Sequence, residues 1–326
     1  MFKKLRRSTF VILAITLALA ATSTFAQSVV YNAIPATLAP SYPSQPFQAQ
    51  QTREFGDYVH LGGTNRVLNT VDVTMVTWAP KSDWPSVGTP TDWTHNFTLN
   101  IYNVVPGSPL NTRGSLIATV TQAQLVPWRP AADPTCPGGT AWRSIADGGC
   151  YNGYAFNMSF NMSGLNATLP NDIIIGIQYA TQTYGFPPVG TGGPYDSLNV
   201  AVQGAPASVG SDANVDRVFW DTLTAGWYTD GGAGGVGIFR EDTAWTALYG
   251  TIPFKVTATP VTPPAAEIIN VGYSSPFANP TAWLIFNDET NTIDNSLGSL
   301  VVGPGTPPLG NGSSQISVTG TQRRNL

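Results

Sequence analysis

Residues 171–182 read NDIIIGIQYATQ, and this stretch decides the fold. Its isoleucines form a nearly continuous apolar run rather than an alternating one: Ile173, Ile174, Ile175 and Ile177. A strand needs such a run when the sheet is covered on both faces. The stretch therefore predicts a central strand that is buried on both sides.

Other segments alternate between apolar and polar residues, as strands with one buried face do. Examples are RVLNTVDVTMVTWA at 66–79, HNFTLNIYNV at 95–104 and YAFNMSFNMSG at 154–164. About ten short strands are separated by turn-forming Gly, Pro, Asn and Asp residues. This pattern predicts an all-β protein, an antiparallel β-sandwich of jelly-roll type, with an up-and-down barrel as the alternative.

The composition excludes several classes of protein. Charged residues make up 10% of the 326 residues and hydrophobic residues 42%. An average globular chain has about 25% charged residues. This balance does not fit a coiled coil, a helical bundle or a nucleic-acid binder with a basic surface.

The first 26 residues have the pattern of a signal peptide. Four cations, Lys3, Lys4, Arg6 and Arg7, precede an apolar stretch at 10–21, which is short for a bilayer span. Cleavage is expected near Ala26, and the alternative is an N-terminal membrane anchor. Cleavage would change the net charge from −4 to −8. We therefore predict a secreted or cell-surface protein that has no membrane span in its mature chain and does not bind nucleic acid.

The rest of the chain divides by composition. Residues 27–52 are predicted to be an extended lead-in, 53–258 the β-sandwich domain, and 259–267 a Pro-rich linker. Residues 268–326 are β-like but short for a sandwich of their own, so we predict an incomplete second β-rich, jelly-roll-like domain in a truncated chain. The alternative is that these residues add strands to the first domain.

The two cysteines, Cys136 and Cys150, lie in a Gly-rich segment with turn signals on both sides. In an exported protein, a single pair at this spacing predicts a disulfide that closes a small loop.

Reactive groups are sparse. There is no nucleophile motif, and His60 and His95 are lone histidines far apart in sequence. A glycosidase needs two facing carboxylates, for which the candidates are Asp216, Asp221, Glu241 and Asp242. Asp216 and Asp221 would point to opposite faces of one continuous strand, which weakens them as a pair.

A structural calcium ion is the only cofactor that the sequence suggests. Secreted β-sandwiches often stabilise their loops by binding Ca²⁺ through oxygen ligands. The stretch NDETNTID offers four such residues in one loop: Asp288, Glu289, Asn291 and Asp294. A solvated turn is the alternative there, and Asp230 in a Gly-rich run is a weaker candidate.

Aromatic residues beside polar groups are the candidates for ligand stacking. Four of them lie in predicted loops: Trp128, Trp142, Trp227 and Tyr228. Their alternative role is packing over the end of the sandwich. Trp220 and Trp283 lie within strand patterns and are predicted to be core residues.

Several strings resemble a group of uncharacterised secreted bacterial proteins, many of which carry C-terminal sorting or anchor domains. They are EFGDYVHLGGTNRVLNTVDVTM, DPTCPGGTAWR with DGGCYNGYAFN, GPYDSLNVAV and AGWYTDGGAGGVGIFREDTAW, within roughly 45–258. NDETNTIDNSLGSLVVGPGTPPLGNGSSQISVTG resembles the opening of a jelly-roll module found downstream in such proteins. The resemblance implies export, β architecture and a cell-surface setting, and it assigns no site residue.

The sequence thus predicts an exported, non-catalytic structural or cell-surface module. A glycan-binding or adhesion module is the first alternative, and a polysaccharide-active enzyme is the second. The expected partners are extracellular glycans or components of the cell envelope.

Overall fold

The computed structural model describes residues 27–107, 110–246, 248–261, 267–272, 281–287 and 292–293. The chain divides into two units, 1–261 and 262–326. The predicted signal peptide at 1–26 and most of the predicted linker lie outside the described residues.

The first unit is built from fifteen strands and short 3-10 turns in its described residues. In chain order, the strands are β1 (Ser28–Asn32), β2 (Ser44–Pro46), β3 (Thr52–His60), β4 (Val67–Thr77), β5 (Asp92–Val105), β6 (Thr112–Pro127), β7 (Trp142–Arg143), β8 (Cys150–Tyr151), β9 (Tyr154–Asn161), β10 (Asp172–Tyr179), β11 (Leu198–Ala201), β12 (Ser211–Asp212), β13 (Val218–Thr222), β14 (Arg240–Asp242) and β15 (Phe254–Thr259). The 3-10 turns are Lys81–Asp83, Pro137–Gly139, Ser163–Leu165, Pro194–Ser197 and Ala225–Trp227.

Two antiparallel sheets hold most of these strands. The first sheet has the order β1-β15-β4-β11-β2, with β9 on the other side of β4. The second has the order β14-β13-β3-β10-β5-β6, with β12 also paired to β3. The chain crosses repeatedly from one sheet to the other, as jelly-roll sandwiches do. The predicted all-β sandwich is therefore confirmed, with two separate sheets that each keep free edges.

The core lies between the sheets and is filled by alternate residues of each strand. Val71, Val73 and Met75 of β4 face it from the first sheet, and Phe97, Leu99 and Ile101 of β5 face it from the second. The predicted central strand is β10, which lies between β3 and β5. Its odd-numbered isoleucines enter the core, while Ile174 joins a smaller apolar cluster with Tyr102, Phe219 and Phe239.

That smaller cluster shows that the outer face of the second sheet is also partly covered. Tyr102, Ile174 and Phe219 alternate with core residues on their strands, so they point away from the core. Loops cross this face, and the polar positions beside the cluster form the site described below.

The second unit contributes three described strands: β16 (Glu267–Gly272), β17 (Thr281–Asn287) and β18 (Thr292–Ile293). They form one antiparallel sheet in chain order. Trp283 lies on β17, as its strand pattern predicted. Among the described residues, none of the helices has the length and apolar character needed to cross a bilayer.

Candidate functional site

A cavity of about 560 Å³ lies on the outer face of the second sheet. Thr98 and Asn100 of β5, Thr119 and Thr121 of β6, and Gln178 of β10 line it. These residues alternate with core residues on strands that pair with each other, so the fold brings their polar side chains to one surface.

The part of the cavity that we call the floor consists of Asn100, Thr119 and Gln178, and it rests on the carboxylate of Glu54. Asn100 Nδ2 and Gln178 Nε2 donate to Glu54 at 3.0 and 2.8 Å. Thr119 Oγ1 donates to Asn100 Oδ1 at 2.7 Å. The floor is therefore a connected hydrogen-bond network, and Glu54 is only 2% exposed beneath it.

Burial dominates the electrostatics of Glu54. Removal from water raises the pKa of this carboxyl group, while the hydrogen bonds from Asn100, Tyr102 and Gln178 oppose the rise. The carboxylate is thus stabilised by its donors but remains costly to bury.

His95 closes one end of the cavity. Its ring stacks on Tyr195 with centroids 4.8 Å apart. Its Nε2 lies 2.7 Å from the carbonyl oxygen of Ala180, which only accepts hydrogen bonds, so Nε2 carries the proton. Burial lowers the pKa of His95, and the imidazole is therefore neutral near pH 7, with Nδ1 as an acceptor.

One side of the cavity is an apolar wall, which we define as Phe186, Pro187, Pro188 and Val189. A cis peptide joins Phe186 to Pro187. Phe186 is 56% exposed, and the Arg53 guanidinium carbon lies 5.1 Å from the centroid of its ring. The Arg53 guanidinium therefore packs over the Phe186 ring, and the π-system of the ring attracts this cation.

The loop that carries this wall is tied to the body of the sandwich. Thr181 Oγ1 donates to Gln48 Oε1 at 2.6 Å, and Asp196 Oδ1 accepts from the Gln182 N–H at 2.7 Å. Gly185 has a φ of 89°, a backbone conformation that favours glycine, and it starts the turn that leads into Phe186. The wall is thereby held in place by side chains on both sides of the loop.

The aromatic residues that the sequence singled out do not meet at one site. Trp128, Trp142 and Tyr228 are buried. Trp128 Nε1 donates to Thr89, and Trp142 Nε1 donates to Gly153, both through backbone carbonyl oxygens. These three rings pack within the fold, so the prediction that they stack on a ligand does not fit the structure. Trp227 is 41% exposed, but it does not line the cavity.

The cysteine prediction is confirmed. Cys136 and Cys150 form a disulfide with their Cα atoms 5.8 Å apart. The loop that they close is also held by the Arg143–Asp133 ion pair, with Nε and Oδ2 3.0 Å apart. A disulfide is typical of proteins that fold in oxidising compartments.

The candidate carboxylates are placed apart from the cavity. Asp216 has a 59% exposed side chain, while Asp221, Glu241 and Asp242 are buried. Asp242 accepts hydrogen bonds from Thr229 and Trp245. None of these four residues lines the cavity.

The remaining predicted residues have structural contacts. His60 ends β3, and its Nδ1 lies 2.9 Å from Asp172 Oδ1. Asp230 accepts from Arg240 Nη2 at 2.8 Å. The proposed calcium ligands Asp288, Glu289, Asn291 and Asp294 all lie outside the described residues. Within the residues that are described, no group of three or more His, Cys, Asp or Glu side chains is arranged to hold a metal ion.

Sequence reasoning missed the floor and the wall. Glu54 lies more than 120 residues before Gln178 and Phe186 in the chain, and none of the three belongs to a motif. Gly176 within the isoleucine run was the one available signal, because a glycine inside a strand often marks a close approach of another group.

No protein-family model, curated protein or solved structure matches this chain.

Proposed function

We propose that this chain is an exported, non-catalytic module of the cell surface that binds a neutral carbohydrate in the cavity of the second sheet. The observation that carries this proposal is the chemistry of the lining. Hydroxyl and amide side chains form the floor and its surroundings, and Phe186 with two prolines forms an apolar wall beside them.

The absence of charge in the lining selects for a neutral ligand. Among the described residues that line the cavity there is no Asp, Glu, Lys or Arg. The titratable groups are His95, whose pKa is lowered by burial, and Tyr179, whose pKa is raised by burial, so both are neutral near pH 7. A charged ligand would lose its hydration there without gaining a partner of opposite charge.

The apolar wall is suited to the C–H face of a sugar ring. A pyranose ring has hydroxyl groups around its edge and C–H groups on its faces. Phe186 presents an exposed ring against which such a face can stack, while the floor can bond the hydroxyl groups. The volume of the cavity lies within the range of about 300–1,000 Å³ that is usual for small-ligand sites.

Export is supported by the signal-peptide pattern at the N-terminus and by the disulfide. The polysaccharide-active alternative receives less support, because the carboxylates considered for it lie outside the cavity.

The test is binding of neutral trisaccharides to the full chain, measured by isothermal titration calorimetry. Cellotriose, maltotriose, xylotriose and mannotriose are the probes. We expect Phe186→Ala to weaken binding about fivefold, the equivalent of ~1 kcal/mol of stacking. Trp227→Ala is the matched control, since it removes an exposed aromatic ring that does not line the cavity. If no probe binds, or if Phe186→Ala binds as the wild type does, the proposal is wrong.

A further inference from the structure

Glu54 touches the cavity only through other residues. Its carboxylate is covered by the floor and receives three hydrogen bonds: Asn100 Nδ2 at 3.0 Å, Tyr102 OH at 2.9 Å and Gln178 Nε2 at 2.8 Å. Two of these donors belong to residues that line the cavity. The carboxylate therefore acts on the cavity by holding its lining side chains.

The direction of these bonds fixes which atoms the floor presents. The Gln178 amide nitrogen donates to Glu54, and Gln178 lines the cavity, so its Oε1 is the atom of this amide that can accept a hydrogen bond from a ligand. Asn100 Oδ1 accepts a hydrogen bond from the Thr119 hydroxyl group, so the Thr119 oxygen has only its lone pairs left to offer a ligand. Gln178 Oε1 and Thr119 Oγ1 are therefore left as hydrogen-bond acceptors, while one N–H of each floor amide is used by Glu54.

The hydrogen-bond donors around Glu54 favour its charged form, against the burial that raises its pKa. The nitrogens of Asn100 and Gln178 can only donate, so they pair with a carboxylate rather than with a protonated carboxyl group. The guanidinium carbon of Arg113 lies 4.9 Å from the centroid of the Tyr102 ring, and its charge favours the ionised form of Glu54.

Gly176 makes room for the carboxylate on β10. A Cβ atom at this position would lie 2.3 Å from Glu54 Oε1. The missing side chain of Gly176 thus leaves space for the Glu54 carboxylate beneath the cavity, on the same strand that carries Gln178.

We propose that Glu54 is a positioning residue that turns one N–H of each floor amide toward its carboxylate and so leaves Gln178 Oε1 and Thr119 Oγ1 as acceptors for the ligand. The inference rests on the proposed carbohydrate binding and deepens it by naming the chemical feature of the ligand that the cavity recognises. The ligand is recognised through free hydroxyl groups that donate hydrogen bonds. A sugar whose hydroxyl groups at the floor are replaced by acceptors is rejected.

Deoxyfluoro analogues test this on the full chain, because fluorine replaces a hydroxyl with little change in size and cannot donate. For the trisaccharide that binds, we expect at least one singly fluorinated analogue to bind the wild type about tenfold more weakly. Asn100 and Gln178 donate to different oxygens of Glu54, so Glu54→Gln places an NH2 group opposite one of these two amide donors. We expect this variant to reduce the discrimination to about threefold or less.

Glu241→Gln is the matched control. Glu241 is also a fully buried carboxylate, and it accepts hydrogen bonds from Asn111 and pairs with Arg217 without lining the cavity. We expect this variant to keep the discrimination of the wild type. Equal binding of all fluorinated analogues, or unchanged discrimination in Glu54→Gln, would overturn the role of Glu54 while leaving carbohydrate binding itself in place.

A ligand-free measurement keeps the inference testable if Glu54→Gln does not fold or if no trisaccharide binds. In NMR spectra of the wild type, the Gln178 NH2 protons should show NOEs to the Tyr102 ring and the Asn100 NH2 group, because all three donors meet at one carboxylate. NOEs from these protons to Phe186 instead would mean that the amide faces the cavity with its donors, and the inference would be wrong.

Discussion

At Gly176, the absence of a side chain leaves the space that the Glu54 carboxylate occupies. A Cβ atom there would come within 2.3 Å of Oε1 and 3.1 Å of the Phe239 ring. We expect Gly176→Ala to lower the free energy of unfolding by about 1–3 kcal/mol through overpacking, and to weaken trisaccharide binding. Thermal denaturation and calorimetry measure the two effects.

The control for this substitution is Gly226→Ala. A Cβ atom at Gly226 meets no other atom within 4 Å, so this variant should unfold as the wild type does. If Gly176→Ala has the same stability as Gly226→Ala, the carboxylate is not held against β10 as described.

Asp57 is a second buried carboxyl group, and it faces the other side of β3. Its Oδ2 accepts from the Ile252 N–H at 3.0 Å and its Oδ1 from the Tyr58 N–H at 2.8 Å. Burial raises the pKa of Asp57 well above its ordinary value, and the charge of Asp212 adds to the rise. The folded state therefore holds the Asp57 proton more tightly than the unfolded chain does.

This difference makes stability depend on pH with a definite sign. The contribution of Asp57 is fully present below the ordinary aspartate pKa and is lost as the pH rises through the raised one. Between these two values, we expect the wild type to lose stability relative to Asp57→Asn by about 1.4 kcal/mol per pH unit. Urea unfolding at a series of pH values measures this slope. Asp83→Asn, at an exposed position, should follow the wild type, and a wild-type curve parallel to that of Asp57→Asn would contradict the prediction.

At the scale of elements, the free edges of β6 and β9 are joined by glutamine side chains. Gln122 Nε2 donates to the Asn161 carbonyl oxygen at 2.7 Å, and Gln124 Nε2 donates to the Ser159 carbonyl oxygen at 2.8 Å. Backbone groups on an unpaired edge are a template for pairing with another chain. The two side chains occupy part of the edge of β9 and so reduce this hazard.

We therefore expect the double variant Gln122→Ala/Gln124→Ala to aggregate more readily than the wild type, seen as faster growth of light scattering on gentle heating. Gln182→Ala, in an exposed loop, is the control and should behave as the wild type does. Equal scattering by all three proteins at the same temperature would mean that the glutamines do not protect the edge.

At the scale of the whole molecule, the core and the cavity lie within one stretch of chain. Every residue of the two apolar clusters and of the cavity falls between Val30 and Ala258. We expect residues 27–261 expressed alone to unfold in one cooperative transition and to bind the same trisaccharide as the full chain. Calorimetry of both proteins tests this, and loss of the transition or of binding in the shorter chain would show that the first unit depends on the rest.

The sequence by itself determined the fold class, the central strand at 171–182 and the disulfide. These features follow from local patterns: a two-residue period marks strands, a continuous apolar run marks burial on both faces, and two cysteines allow one pairing. The burial of Trp220 also followed from its place in a strand pattern.

Only the tertiary structure decided which side chains share a surface. Glu54, Asn100 and Gln178 come from three strands that are neighbours in the sheet but lie far apart in the chain, and the register of β10 against β3 and β5 brings them together. Trp128 and Trp142 failed as ligand-stacking candidates for the related reason that local sequence does not show what covers a loop. Strand register and loop packing are set by long-range contacts, so the cavity has no signature within any single segment.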